Sequence, residues 1–451
     1  MKKYNIKEDV LNLICNASTL GNLGLFIGAG FSKAMLEDSF EYRAYSWYEL
    51  LEKCCDKMNI DLKILKQKGS LSEIASYICK QYATNKKVTY EESINVLKNL
   101  IAELTNVYPT SESITKYRKL LSNIEVDWIA TTNYDMILEN IFTGRCLPLG
   151  PNECFVKVNN LIPIYHIHGI RTVPNSIVIT NEDYVSLFRP NDYRQSRLPF
   201  LMKESFVLMI GYGLGDINVI TALDWSKNVY TNVSENYDTE IIQLLYTDNP
   251  KDKPYRDSSG VLIIEINNLI NFFQELNDYF RKYSKSYNEK LDKINGYIKM
   301  FVSPKEDDIM DFIDNSVIRK EIIEYIANLG MEYSYIYPNY IIFLQKIIEE
   351  LNERAKPNGA FSAYDQKLNV LIDIFEYIDI KKVPPSFFSM LAESFDSVAY
   401  YVGDGMGESW EAKKTWENEN HRIPKDVVDE LKRYEKSKPN LVWYTKLLKS
   451  K

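Results

Sequence analysis

The stretch Leu25-Phe26-Ile27-Gly28-Ala29-Gly30-Phe31-Ser32 joins an apolar strand to a glycine turn and then to a hydroxyl residue that can open a helix. Glycines at 28 and 30 allow close backbone packing and leave N–H groups free to meet a phosphate or pyrophosphate. Alone the pattern is a weak signal, because most such turns after a strand are simply tight turns. It predicts a strand–turn–helix unit with a candidate phosphate-binding loop.

Three later segments share this arrangement, in which a short apolar run leads into a polar loop. They are Ala130-Thr131-Thr132-Asn133-Tyr134-Asp135, His166-Ile167-His168-Gly169 and Gly211-Tyr212-Gly213-Leu214-Gly215-Asp216-Ile217-Asn218. Because the carboxyl ends of parallel strands meet at one edge of a sheet, we expect the four loops to gather there. The sequence therefore predicts a ligand-binding site at this edge.

The alternation of short apolar runs with helical patterns predicts an α/β fold. We expect strands at about 23–27, 126–130, 162–166, 176–180, 206–210, 240–246 and 260–265, and helices that include 50–58, 90–104 and 217–225. Residues 1–285 should form a Rossmann-like, doubly wound parallel sheet with a helical insertion at about 34–122. Residues 286–451 lack strand-like runs and should form an all-helical C-terminal domain, with a role in assembly or regulation.

Composition excludes several classes of protein. The net charge of −8 argues against a protein that coats nucleic acid, so direct nucleic-acid binding is not expected. The N-terminus lacks the apolar core of a signal peptide, and no apolar run approaches the roughly 20 residues of a membrane span. Six cysteines form no Cys-x-x-Cys pair. We expect a cytoplasmic, reduced protein with no membrane association.

Together the four loops resemble the sirtuin-like (silent information regulator) family, specifically its bacterial branch in antiphage defence systems. The segment Ile179-Thr180-Asn181-Glu182-Asp183-Tyr184 is similar to the family's T-x-x-D-Y stretch, and Trp47 with Leu50 and Leu51 is similar to its W-x-x-L. The resemblance covers about residues 20–285. Two Cys-x-x-Cys pairs build the zinc module of sirtuin deacetylases, and this chain has none, so the resemblance implies NAD binding without zinc.

Two residues are candidates for catalysis. A histidine, with an unperturbed pKa near ~6.5, suits the role of base toward water or a ribose hydroxyl, and His168 follows a predicted strand. Asn133 is neutral and both donates and accepts hydrogen bonds, so it can position a water or a hydroxyl. The resemblance places the family's catalytic histidine and asparagine at these positions. A purely structural role for His168 is the alternative.

The remaining candidates would bind the dinucleotide. We expect Gly28, Ala29, Gly30 and Ser32 at the pyrophosphate, and Gly211, Gly213, Asp216 and Asn218 at the adenosine side. The resemblance places Asp135 at the nicotinamide carboxamide, and Thr132 stands where sirtuins have glutamine. Asp135 and Asp216 have the alternative role of capping the helices that follow them.

His166 and His168 also raise the possibility of a metal site. In an extended strand the two side chains face the same side, which suits chelation. The only other histidine is His421, far away in the tail, and no cysteine or glutamate cluster is evident, so a third ligand is missing. We therefore expect no metal, and we expect His166 to be a packing or positioning residue.

The resemblance implies an NAD+ glycohydrolase that cleaves its substrate to nicotinamide and ADP-ribose and depletes NAD+ in abortive antiphage defence. Such a toxic activity must stay off at rest, which implies a regulator or an assembly. We expect a homo-oligomer and, from the architecture, a HerA-type hexameric ATPase partner. The alternatives are an ADP-ribosyltransferase or deacylase of the sirtuin type, and a non-catalytic NAD-sensing or nucleic-acid-processing subunit of a defence complex.

Overall fold

The structure is a computed structural model that describes residues 4, 6–39, 41–63, 69–151, 153–154, 158–187, 193–212, 240–357, 359–402, 408–438, 441 and 443–449. The chain divides into two compact units, Met1–Lys285 and Ser286–Lys451. None of the described helices combines the length and the apolar character that crossing a membrane requires.

The first unit contains a sheet of eight strands. They are β1 (Leu23–Ile27), β2 (Trp128–Thr131), β3 (Cys146–Leu149), β4 (Ile162–His166), β5 (Phe206–Ile210), β6 (Ile241–Tyr246), β7 (Tyr255–Arg256) and β8 (Leu262–Ile266). Their order is β3-β4-β2-β1-β5-β6-β8-β7, and every pair is parallel except β7 with β8. The predicted Rossmann-like α/β fold is confirmed.

The central strands are apolar on both faces because both faces of the sheet are covered. Successive residues of a strand point to opposite faces, and in β1 Leu25 and Ile27 enter one core cluster while Phe26 enters another. In β5 Leu208 joins the first cluster and Met209 the second. The two clusters are the cores above and below the sheet, so the sheet edge is the part left to carry polar loops.

Helices surround this sheet. They are α1 (Lys7–Thr19), α2 (Ala29–Met35), α3 (Trp47–Met58), α4 (Leu71–Lys86), α5 (Tyr90–Leu104), α6 (Ser111–Leu121), α7 (Ile137–Ile141), α8 (Asn181–Leu187) and α9 (Tyr193–Glu204). Helices α3 to α6 occupy the segment between β1 and β2 where the helical insertion is predicted. Each of α3, α4 and α5 begins with a capping box, formed by Ser or Thr and the glutamate three residues later. The helix predicted at 217–225 lies outside the described residues.

The prediction of a strand at 176–180 is wrong. The chain there forms a 3₁₀ turn, Pro174–Ser176, followed by irregular backbone. Ile177 and Ile179 are buried, as in a strand, but they pack into a cluster with α3, α4 and α5 and not on the sheet. Strands β3 and β7 were not predicted, because both are short edge strands with partly exposed residues.

The second unit is helical, as predicted. One helix, α10 (Leu269–Val302), contains the boundary, and α11 (Glu306–Asp314), α12 (Ser316–Ala327), α13 (Tyr337–Arg354), α14 (Phe361–Tyr377), α15 (Pro385–Val402), α16 (Trp410–Glu419), α17 (Lys425–Ser437) and α18 (Trp443–Lys449) follow. Its core is rich in phenylalanine, isoleucine and leucine. Within this core the Arg319 guanidinium pairs with the Asp373 carboxylate at 2.7 Å.

Candidate active site

The predicted loops follow four adjacent strands, in the order β4-β2-β1-β5. The strand ends are aligned, since Ile27 pairs with Thr131 and with Ile210, and Thr131 pairs with His166. The sheet therefore brings together the described candidates at one edge: Gly28, Ala29, Gly30, Ser32, Thr132, Asn133, Asp135, His168 and Gly211. The candidates Gly213, Asp216 and Asn218 lie outside the described residues.

The glycine loop after β1 is packed directly on the loop after β5. The Gly28 N–H donates to the Ile210 carbonyl at 2.8 Å, and the Gly30 N–H donates to the Gly211 carbonyl at 2.9 Å. A Cβ atom at Gly28 would lie 2.7 Å from the Gly211 oxygen, and one at Gly211, whose φ is +79°, would lie 2.4 Å from the Phe31 nitrogen. The expectation that both glycine amides stay free for a phosphate is therefore wrong. Close backbone approach requires the glycines at this point, where the strand order reverses.

The Asn133 side chain is buried and held in one orientation. Its amide nitrogen Nδ2 donates to the Gly28 carbonyl at 3.1 Å and to Ser32 Oγ at 3.0 Å. The backbone N–H of Asn133 donates to Thr131 Oγ1 at 3.0 Å. Since both amide protons are used, Oδ1 is the atom of this side chain that can accept a hydrogen bond from a water or a hydroxyl.

Ser32 connects Asn133 to Asp135 by hydrogen bonds. Its hydroxyl accepts from Asn133 and donates to Asp135 Oδ2 at 2.9 Å, while Asp135 Oδ1 accepts from the Ile137 N–H at 3.1 Å. The latter bond supports the start of α7, but Asp135 is not its N-cap, because that position is occupied by Met136. Burial raises the pKa of the Asp135 carboxyl, and the bonds from Ile137 and Ser32 offset part of that rise.

Tyr212 joins the ends of three strands and was not predicted. Its hydroxyl donates to the Ile27 carbonyl at 3.0 Å and lies 3.0 Å from Thr132 Oγ1. Because the Tyr212 proton is directed at Ile27, Thr132 is the donor in the second bond. The tyrosine therefore fixes the candidate Thr132 against the end of β1.

His166 lies at the end of β4 and connects two elements of the site. Its Nδ1 is 3.0 Å from the Asn133 carbonyl oxygen, and its Nε2 is 2.8 Å from Glu139 Oε1 on α7. The expectation that His166 and His168 face the same side of an extended strand is wrong. The strand ends at His166, and the Gly169 N–H closes a turn on the His166 carbonyl at 3.1 Å.

The buried His166–Glu139 pair needs two protons, one on Nδ1 of His166 and one between Nε2 and the Glu139 carboxyl group. A backbone carbonyl only accepts, so Nδ1 carries the proton that it donates to Asn133. The contact between Nε2 and Glu139 then needs another proton, carried either by the imidazole or by the carboxyl group. His166 is fully buried. The pair therefore fixes the backbone of Asn133 through the hydrogen bond that Nδ1 of His166 donates.

The Glu139→Ala variant is expected to lower the free energy of unfolding by about 1–3 kcal/mol, because it leaves Nε2 of His166 buried without its partner. Glu139→Gln is the matched control. The glutamine amide donates to a neutral imidazole, so this variant should stay within about 1 kcal/mol of the parent. Urea unfolding followed by tryptophan fluorescence measures both values, and equal losses in the two variants would contradict this hydrogen-bond assignment.

His168 lies in an aromatic enclosure. The ring is 1 % exposed, with centroid distances of 6.1 Å to Trp47 and 5.7 Å to Tyr184. Trp47 and Tyr184 also contact each other at 6.0 Å. Gly169 has a φ of +93°, and a Cβ there would lie 2.2 Å from the Ser176 oxygen, so the turn that places His168 requires glycine.

Polar contacts with the helical insertion hold the segment that carries Tyr184. Asp183 Oδ2 accepts from the backbone and hydroxyl of Thr180, and Asp183 Oδ1 accepts from Lys98 of α5 at 2.7 Å. Ser76 of α4 donates to Glu182 Oε2 at 2.7 Å. The T-x-x-D-Y stretch thus forms the capped start of α8. Its largely buried ion pair between Asp183 and Lys98 holds Tyr184 beside His168.

The residues that the structure describes contain no group of three His, Cys, Asp or Glu side chains able to hold a metal. Cys54 and Cys79 lie buried in the helical insertion, and burial raises the pKa of each thiol to about 12. Thiolates are the form that binds metals, and these thiols are protonated at neutral pH. His166, in turn, has both ring nitrogens engaged by Asn133 and Glu139.

Part of the first unit is similar to a known family of domains. Residues 127–264 match the family profile of the SIR2-like domain, whereas no curated protein matches the chain. The matched range runs from the start of β2 into β8 and contains Asn133, Asp135, His166 and His168. SIR2-like domains use NAD as a substrate, which indicates an NAD-related activity. The match therefore identifies a SIR2-like segment within the first unit.

Proposed function

We propose that the chain is an NAD+ glycohydrolase that cleaves NAD+ to nicotinamide and ADP-ribose. The match to the SIR2-like domain supports an NAD substrate. The observation that carries the proposal is the orientation of Asn133, whose amide nitrogen is occupied by Gly28 and Ser32. That arrangement presents a neutral acceptor at the edge of the sheet without presenting a nucleophile.

Cleavage of the nicotinamide–ribose bond passes through a state in which the sugar carries positive charge, and nicotinamide leaves without being protonated. The enzyme must hold the sugar, stabilise its charge and deliver a water. In our proposal Asn133 Oδ1 accepts a hydrogen bond from that water or from a ribose hydroxyl. Because Asn133 cannot form a stable ester with the sugar, water remains the group that attacks it.

His168 is the proposed base. The imidazole would accept a proton from the water or from a ribose hydroxyl as the carbon–oxygen bond forms. Trp47 and Tyr184 enclose the ring, so bulk water is excluded on those sides and the electrostatic effect of nearby groups is larger. The helical insertion contributes to catalysis in this account by holding these two aromatic side chains.

The glycine loop is the proposed contact for the pyrophosphate. Ala29 and Gly30 are exposed at the surface of the loop, so a ligand can reach the backbone there. Buried beneath them, Gly28 packs against Gly211 and Ser32 joins the Asn133 network. The loop thus couples the position of the dinucleotide to the orientation of the catalytic amide.

We further propose that this activity serves antiphage defence by NAD+ depletion. An enzyme that destroys NAD+ must be inactive until it is triggered, and assembly into a homo-oligomer or with a HerA-type ATPase is the proposed form of control. Turnover measured with and without such an ATPase tests this part. An equal rate in both samples would contradict partner-dependent activation.

Product analysis distinguishes the proposed reaction from its alternatives. With NAD+ labelled in the ADP-ribose part, hydrolysis releases nicotinamide and free labelled ADP-ribose in equal amounts. Label on protein would instead indicate transfer. Calorimetric titration with NAD+ provides a readout that does not depend on activation, and the absence of both cleavage and binding would contradict the proposal.

A further inference from the structure

The second unit contains a cavity of about 680 Å³ that the proposed function does not use. This volume lies within the range of about 300–1,000 Å³ that small-molecule sites occupy. Helices α13, α14 and α15 supply most of its wall, and α18 adds Trp443. Its lining includes Asn352, Tyr364, Lys367, Tyr400, Tyr401 and Trp443.

Lys367 is the unusual charge in this wall. It is 3 % exposed, and its ammonium group donates to Ser397 Oγ at 2.5 Å. Within the described part of the chain it forms no ion pair, whereas the other buried cation of this unit, Arg319, pairs with Asp373 at 2.7 Å. Burial without a carboxylate lowers the pKa of Lys367 to about 8. A buried lysine of this kind, beside a cavity, is typical of a functional site.

The acidic groups that line the cavity are engaged elsewhere. Asp396 Oδ1 accepts from the backbone N–H groups of Trp443 and Tyr444, at 2.7 Å and 3.0 Å. Glu393 pairs with Lys438 at 2.6 Å. An ammonium group has three donors, and Ser397 uses one of them, so two remain for a ligand. Lys367 is therefore a group of this wall that can pair with an anionic ligand.

Four aromatic rings also line the cavity. Tyr401 stacks on Tyr364 with centroids 3.8 Å apart and an interplanar angle of 9°, and Tyr400 meets Trp443 edge to face at 4.7 Å. Asn352 accepts from Ser394 through Oδ1 at 2.9 Å, which leaves its amide protons for a ligand. Such surfaces bind planar rings by stacking and orient them by a few polar contacts.

We propose that this cavity binds a small anionic ligand that carries an aromatic ring, with Lys367 as the partner of the anionic group. The anionic group would then pair with the buried ammonium group of Lys367. The aromatic ring of the ligand would stack on the pair formed by Tyr364 and Tyr401. This site is separate from the sheet edge and does not depend on the proposed NAD+ cleavage.

Three aldehyde probes test the proposal on the full chain at about pH 8, where the pKa of Lys367 leaves part of its amine neutral. Pyridoxal 5′-phosphate carries a ring and an anion, pyridoxal carries the ring alone, and glyoxylate carries the anion alone. Each condenses with a neutral amine and loses water, and borohydride then reduces the imine to a stable secondary amine. Peptide mass spectrometry locates the label, and Lys63, whose side chain is 87 % exposed, corrects for the reactivity of each probe.

We expect labelling of Lys367 that saturates with pyridoxal 5′-phosphate. For each probe we compare the labelling of Lys367 with the labelling of Lys63. This ratio should be about tenfold higher for pyridoxal 5′-phosphate than for pyridoxal or glyoxylate, which is the factor equivalent to one charge-assisted contact. Tyr401→Leu should lower this ratio, and Tyr401→Phe, which keeps the ring, should preserve it. Labelling that is no stronger than at Lys63, that rises linearly with concentration, or that is equal for all probes would overturn the proposal.

Discussion

The Asn133→Ala variant is expected to lose NAD+ cleavage by at least about 100-fold, the loss typical of removing one positioned polar group from an active site. The substitution removes the only side-chain acceptor that the Gly28–Ser32 contacts hold in place. Turnover is measured as nicotinamide release at saturating NAD+, so a change in substrate affinity does not account for the loss.

Two further variants distinguish the effect of the orientation of the Asn133 amide from the effect of having any polar side chain at this position. Asn133→Asp keeps the size of the side chain but places an acceptor opposite the Gly28 carbonyl, so we expect a loss similar to that of Asn133→Ala. Asn140→Ala is the matched control, since that amide donates to the carbonyl of Met136, the residue before α7, and does not contact Gly28 or Ser32. Turnover by Asn140→Ala should remain near the parent rate, and normal turnover by Asn133→Asp would contradict the role assigned to the amide.

The Gly211→Ala variant is expected to destabilise the first unit by about 2–5 kcal/mol. A positive φ costs a non-glycine residue about 1–2 kcal/mol, and overpacking adds about 1–3 kcal/mol. The new Cβ would lie 2.4 Å from the Phe31 nitrogen and 2.8 Å from the Gly28 oxygen, so backbone must move. Unfolding by urea measures the loss, and NAD+ cleavage should fall with it because the glycine loop shifts.

Gly144→Ala separates these two costs. Gly144 has a similar φ of +77°, and a Cβ there would meet nothing within 4 Å. We therefore expect this variant to lose only about 1–2 kcal/mol, the cost of the backbone conformation alone. Equal losses at the two glycines would contradict the close packing of the β1 and β5 loops.

The sheet was predictable because its signals are local. Each central strand is a short apolar run that leads directly into a polar loop, and β1 shows the complete pattern within residues 25–32. The segment at 176–180 has the same apolar character, yet Ile177 and Ile179 are buried against the helical insertion. Burial alone does not distinguish contact with a sheet from contact with helices, so that prediction failed.

The contacts that orient the site depend on tertiary packing and were not predictable. Glu139 meets His166 across 27 positions of sequence, and Tyr212 meets Thr132 across 80. The sequence pattern marks Glu139 only as a polar residue in a short helix. Lys367 looked equally ordinary within α14, because its unusual feature is burial without a carboxylate partner.

Comparison of His168→Ala with His421→Ala tests the central claim, that the sheet edge cleaves NAD+. His421 is an exposed histidine of the second unit and controls for the loss of an imidazole. We expect His421→Ala to release nicotinamide and ADP-ribose at the parent rate. We expect His168→Ala to release neither product while it retains the parent circular dichroism spectrum. Under conditions in which the parent chain consumes NAD+, an equal rate of consumption by a folded His168→Ala variant would contradict the claim.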